Sequence, residues 1–209
     1  MKRPAQSRKK SRAAKPARPI GDNWAEKTLR RMSLREKIGQ VLMVPFFGEF
    51  ASSASTEYAE AIRQVEENRV GGLILATARG PMGIRRSQVY PTAVIANELQ
   101  RRAKIPLLIG ADFESGTRMR IEEGAAFPSA MAIAATGEPG FAYVAGKLTA
   151  IEARAAGVHW IFAPDADIND NPDNPIINVR SFGESALEVS RYVDEFIRGV
   201  EDNGALATA

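Results

Sequence analysis

Four short apolar runs, each set between helical patterns, constrain this chain more than any other feature. They are VLMVPF (41–46), GGLILA (71–76), IPLLIGAD (105–112) and VHWIFAP (158–164), and ALATA (205–209) begins a fifth. Continuous runs this short, bounded by Gly and Pro, read as strands rather than helices. Between them the spacing predicts helices over about 23–40 in two pieces, 56–68, 91–103, 139–156 and 185–203. Ser33-Leu34-Arg35-Glu36 has capping-box spacing for the second piece. Ala59, Ile62, Val65 and Arg69 form one stripe of the third helix, and Gly157 and Gly204 stand where helices end. Strands without internal alternation, separated by helices, imply an α/β fold with a parallel sheet covered on both faces.

Polar residues cluster after the strands, where open α/β sheets and (β/α)8 barrels place their sites. No glycine-rich phosphate loop follows any strand, since the glycines of GGLILATARG precede theirs. A closed barrel needs eight strands and about 250 residues, and five strands cannot close one. The chain is therefore either an open five-stranded sheet or part of a larger protein, and the second is expected, because a terminal strand leaves apolar edges unpaired.

The sequence pI near 9.3 belongs to the tail. Residues 1–20 hold eight Lys and Arg and no acid, so without them the net charge moves from +3 to −5. Poor in large apolar residues, residues 1–21 are expected to be a disordered basic tail ahead of a domain spanning 22–209. Such a tail could touch nucleic acid or a polyanionic envelope polymer. The preferred reading is a solvated arm, or sequence read from an upstream start, so no nucleic-acid partner is expected. It lacks the apolar core of a secretory signal, and no stretch approaches the roughly 20 apolar residues of a membrane span. A cytoplasmic location is the expectation. There is no cysteine, hence no thiol chemistry, and His159 is the single histidine, which argues against a His-rich metal site.

Three clusters carry the chemistry. Asp112 and Glu114 follow the third run, with Arg118 and Arg120 close behind; Asp165, Asp167, Asn169, Asp170 and Asn171 follow the fourth; Asn174-Pro175 leads to Arg180-Ser181-Phe182-Gly183-Glu184. Carboxylates that accept from hydroxyls, beside guanidiniums that donate to ring substituents, suit a polyhydroxylated ligand. Asp112 and Glu114 could instead be a catalytic acid pair, since residues i and i+2 of an extended segment point the same way. The Asp/Asn-rich cluster could hold a cation, although loop closure through side-chain to backbone bonds is preferred.

In this order and spacing the clusters resemble glycoside hydrolase family 3, specifically its N-terminal (β/α)8-barrel domain. The likeness runs from Met32-Ser33-Leu34-Arg35-Glu36-Lys37-Ile38-Gly39-Gln40, through Val70-Gly71-Gly72-Leu73-Ile74-Leu75, Pro106 to Asp112 and Phe127-Pro128-Ser129. It continues through Gly157-Val158-His159-Trp160 to Ala163-Pro164 and Arg180 to Glu184, and reaches Ala209, so it covers about residues 24–209. Asn174-Pro175 with Arg180-Ser181-Phe182-Gly183 is similar to the β-N-acetylhexosaminidase branch. The β-glucosidase branch of the same family is the alternative, and a non-catalytic sugar-binding α/β module is the competing class.

The resemblance implies the first five β/α units of a (β/α)8 barrel, and a retaining glycosidase that removes terminal β-linked N-acetylglucosamine without metal or organic cofactor. It places substrate binding on Asp112, Arg120 and Arg180, and makes Glu114 a loop scaffold. The family's "EGG" reads Glu114-Ser115-Gly116 here, and the added Cβ is expected to alter the loop that carries Arg120. The alternative for Arg180 is a salt bridge to Asp165, Asp167 or Glu184. No catalytic residue is expected in the chain, because the family's Lys-His and Gly-His-Gly motif and its nucleophilic aspartate come after the position matching Ala209. The remainder of the barrel would be missing, and the chain alone would be inactive. His159, near the start of its strand, is expected to be structural, and Trp160 and Phe162 to fill the barrel or the helix-facing core.

Overall fold

A computed structural model describes residues 23–49, 54–80 and 83–209. The expected basic tail lies outside the described residues. Helix α1 (Trp24–Arg31) is capped by Asn23, whose Oδ1 accepts the Glu26 N–H at 3.0 Å. It belongs to a compact unit that ends at Ser33, and every other element belongs to a second unit, Leu34–Ala209.

In that second unit α2 (Leu34–Gln40) leads to β1 (Met43–Phe46), α3 (Thr56–Glu66) and β2 (Gly72–Leu75). After these come β3 (Ala78–Gly80), β4 (Gly83–Arg85), α4 (Val89–Arg102) and β5 (Leu108–Ala111). The chain continues with α5 (Ala130–Ala134), α6 (Gly140–Ala155), β6 (Trp160–Phe162), α7 (Ala186–Glu201) and β7 (Leu206–Thr208). Single 3-10 turns occupy Thr117–Met119 and Asn178–Arg180. All the expected strands and helices form. The β3–β4 hairpin and the short α5 were not foreseen; the hairpin strands read Ala-Arg-Gly and Gly-Ile-Arg and lack the run of alternating apolar residues that marks a strand.

The five long-range strands are all parallel, in the order β1-β2-β5-β6-β7. Leaving the hairpin aside, spatial order follows chain order without the reversal that defines a doubly wound sheet. Right-handed crossovers that always step the same way put every connecting helix on one face, as in a (β/α)8 barrel. Burial agrees. Leu73, Leu75, Ile109, Ala111 and Ile161 are buried, whereas their strand neighbours Leu108 and Leu206 are 40% and 48% exposed.

The expectation of a sheet covered on both faces is therefore corrected: among the described residues the helices that connect the strands cover one face only. Trp160 and Phe162 lie on the other face, partly exposed, with their rings edge to face at 5.1 Å. On α3 the inward residues are Ala61, Ile62 and Val65, so Ile62 and Val65 of the expected stripe face the core while Ala59 is exposed.

The largest helix contact joins α6 and α7. Each presents a glycine to the other's backbone: a Cβ on Gly146 would sit 2.3 Å from the Phe196 carbonyl oxygen, and one on Gly199 would sit 2.2 Å from that of Tyr143. That close approach locks the layer beneath the loop that carries Arg180. No helix among the described residues is long and apolar enough to cross a membrane.

Candidate functional site

The C-terminal ends of β5 and β6 carry the polar clusters. Asp112 directly follows β5, and its Oδ2 accepts from Arg120 Nη2 at 2.6 Å. The other carboxylate oxygen, Oδ1, has no protein partner among the described residues, and the side chain is 42% exposed. Besides Asp112, Arg120 donates among the described residues only from Nη1 to the Met119 carbonyl, at 3.3 Å, so several of its five N–H groups have no acceptor there. The dyad thus offers a free acceptor beside free donors.

The loop between Asp112 and Arg120 is fixed from three sides. Gly116 has φ +92, and a Cβ there would fall 2.3 Å from the Ala125 carbonyl oxygen, so the glycine the loop needs is the one retained. Ser115 is not among the positive-φ residues and keeps its Cβ without strain. Thr117 donates to Glu152 on α6, and the same Oε2 accepts the Ala125 N–H at 2.9 Å. Buried Ser87 closes the far side, donating its N–H to the Arg120 carbonyl at 2.8 Å while its own carbonyl accepts the Glu122 N–H at 2.8 Å. Arg118 points to a different partner, Glu122, through Nη2 at 2.9 Å.

Glu114 faces Arg180 across 66 residues of chain. Arg180 donates from Nε to Glu114 Oε2 at 2.8 Å and from Nη2 to Oε1 at 2.9 Å, and Nη2 lies 3.2 Å from Asp165 Oδ2. Hydrogen bonding to Glu114 holds the guanidinium pKa above its ordinary value, with the nearby Asp165 and Asp167 charges acting the same way. Of the three partners expected for Arg180, Asp165 is found, and Glu114 is the one that sequence reasoning missed. Local spacing cannot reveal a pair so distant in the chain, although an acid after each strand was the available signal.

Asp165 follows the Ala163–Pro164 pair, which is joined by a cis bond, at the end of β6. Its side chain is 7% exposed, and its Oδ1 accepts the Asp167 N–H at 2.9 Å. Asn171 and Asn174 close their own turns, accepting from Asp173 at 3.0 Å and Ile176 at 2.9 Å. Within the second cluster Asp165 and Asn171 thus close turns, the reading preferred over a cation site for Asp165. Among the described residues no group of three or more His, Asp and Glu is placed to hold a metal ion. Ser181, fully buried, donates to the carbonyl of Asp167 at 2.6 Å and accepts the Gly183 N–H at 3.1 Å, tying the two loops together. Beneath it Phe182 stacks on Tyr192 of α7 at 5.3 Å.

Asp112, Glu114, Asp165, Asp167 and Arg180 line one cleft of about 620 Å³, floored in part by Phe162. Arg120 stands behind Asp112, outside the lining. The Phe162 ring lies over Gly110, where any Cβ would fall 2.6 Å from Cζ. His159 sits at the other end of its strand, its Nε2 accepting the Ile109 N–H at 3.3 Å, in the structural role expected of it.

Comparisons with known proteins identify relatives of this chain. A β-N-acetylglucosaminidase/β-glucosidase from Cellulomonas fimi is 32% identical over 189 residues, covering 90% of this chain and 31% of that protein. The solved structure of a glycoside hydrolase family 3 β-N-acetylglucosaminidase from Paenibacillus sp. str. FPU-7 superposes with a TM-score of 0.71 at 36% identity. That match covers 84% of this chain and 32% of the other. The β-glucoside phosphorylase BglX, bound to 2FGlc, gives a TM-score of 0.75 at 28% identity over 88% of this chain and 31% of that one. The chain spans about a third of the length of each. Residues 33–209 match the family model described as the glycosyl hydrolase family 3 N terminal domain, and to that family this chain belongs.

Proposed function

We propose that this chain forms the binding wall of a retaining β-N-acetylglucosaminidase, with Asp112, Arg120 and Arg180 holding the terminal sugar. The observation that carries the reading is the Asp112–Arg120 dyad at the tip of β5: Asp112 lines the cleft, and its Oδ1 has no partner among the described residues. A ring hydroxyl would donate to Oδ1, and a neighbouring hydroxyl would accept from an unused N–H of Arg120. Hydrogen bonds to charged groups are worth about 1.5–3 kcal/mol each, enough to orient a sugar. Retaining hydrolysis also needs a nucleophile and an acid/base on opposite sides of the glycosidic bond. Asp112 and Glu114 are each neutralised by their own arginine, which suits holding a ligand better than attacking one. The attacking carboxylate and the acid/base are therefore proposed to lie outside these 209 residues.

Titration of the chain with N-acetylglucosamine and with glucose, followed by amide NMR, tests the reading. Expected are shifts at Asp112 and its neighbours with N-acetylglucosamine, and no turnover of a chromogenic β-N-acetylglucosaminide. Turnover by this chain would overturn the assignment of catalysis elsewhere, and no shift with either sugar would overturn the binding wall. Stronger binding of glucose would favour a β-glucoside substrate. That second reading has a specific footing, since the Cellulomonas fimi relative is named for both activities.

A further inference from the structure

Arg180 has no regular element to hold it. It ends a single 3-10 turn after a long irregular connection from β6, and apart from its two carboxylate neighbours its guanidinium donates, among the described residues, only to the Ile176 carbonyl, at 3.4 Å. The carboxylates come from different strand tips, Glu114 after β5 and Asp165 after β6. Glu114 engages Nε and Nη2 in the two-pronged geometry that fixes a guanidinium plane as well as its position. Asp165 closes on Nη2 from the side and is itself fixed by the Asp167 N–H. Of the five guanidinium N–H groups, one on Nη1 has no acceptor among the described residues, and Arg180 lines the cleft.

We infer that Glu114 is a positioning residue: its carboxylate sets the plane of the Arg180 guanidinium so that Nη1 donates a single directed bond to the bound sugar. The inference rests on the proposed role of Arg180 in sugar binding. A free arginine on a loop would have to lose the freedom of its long side chain on each binding event. Held by Glu114, it has lost that freedom before the ligand arrives. Glu114 then acts on affinity through Arg180, without itself touching the sugar.

The rival is a loop staple with no bearing on the ligand, and two measurements separate them. In the free chain labelled with nitrogen-15, the Arg180 Nε–H should give a slowly exchanging signal that disappears in Glu114→Ala and survives in Asp165→Asn. Affinity for N-acetylglucosamine should fall about tenfold in Glu114→Ala, the scale of one charge-assisted bond. Glu114→Gln, which keeps one acceptor, should recover part of the loss. In an Arg180→Ala background, adding Glu114→Ala should change affinity no further, because the two act as one unit. A further loss in that background, or unchanged affinity in Glu114→Ala with the Nε–H signal gone, overturns the positioning role. A wild-type chain that binds no N-acetylglucosamine overturns the proposed function and the binding half of the inference. The guanidinium signal would still decide whether Glu114 holds Arg180.

Discussion

Asp112 and Glu114 are two residues apart, yet each carboxylate meets its own arginine, and the two arginines do different work. Arg120 leaves one oxygen of Asp112 free, whereas Arg180 takes both oxygens of Glu114. Asp112→Asn keeps the shape of the dyad but removes the charge that pairs with Arg120 and strengthens a hydroxyl bond. We expect N-acetylglucosamine affinity to fall about tenfold or more with the amide spectrum otherwise unchanged, measured by the same titration. Ser181 is the residue whose loss should act on the fold instead. Its hydroxyl joins Asp167 and Gly183 in a fully buried setting, so Ser181→Ala leaves the Gly183 N–H without its acceptor. Denaturant unfolding should show a loss of about 1–3 kcal/mol, the cost of an unsatisfied buried polar group.

Between the elements, α6 and α7 set a test in which local propensity and packing disagree. Alanine is the better helix former by about 1 kcal/mol, so Gly146→Ala would stabilise an isolated helix. Here the new Cβ would meet the Phe196 backbone at 2.3 Å, and a backbone atom cannot move aside as a side chain can. Destabilisation by about 1–3 kcal/mol in a urea titration is therefore expected, the range for overpacking. On α7, Tyr192 lies buried under Phe182 and donates to the Ala134 carbonyl at 3.1 Å. Burial, with the Glu188 charge adding to it, pushes its phenol pKa up. A pKa raised by folding means stability is intact below the unfolded value, near 10, and is lost as pH rises beyond it. Tyr192→Phe should flatten that alkaline loss in pH-dependent unfolding. The elements themselves were legible in the sequence, because continuous apolar runs and glycine stops report local structure. Asp112 was legible as a strand tip, and His159 was legible as lying at the wrong strand end. Two things stayed hidden for different reasons: the Glu114–Arg180 pair spans 66 residues, and the β3–β4 hairpin, though local, has no apolar alternation to announce it.

At the scale of the molecule, the mistaken expectation of two covered faces has a physical cause and a consequence. Short apolar runs look alike whether helices cover both faces of a sheet or one face and a barrel interior the other; only strand order separates the cases. The order β1-β2-β5-β6-β7 assigns the helices that connect its strands to one side, leaving Leu108, Trp160, Phe162 and Leu206 with incomplete cover. Among the described residues β1 and β7 also pair on one side only. An apolar face bounded by two open parallel edges is the arrangement that recruits another chain. This chain should therefore bind a hydrophobic dye and self-associate with rising concentration in sedimentation velocity. Leu206→Lys places a charge on both the edge strand and the exposed face, and should shift the population toward monomer. Leu206 is half exposed, so its replacement should change unfolding stability by no more than about 0.5 kcal/mol. Monomer at all concentrations without dye binding would mean that the helix-free face is satisfied within one chain.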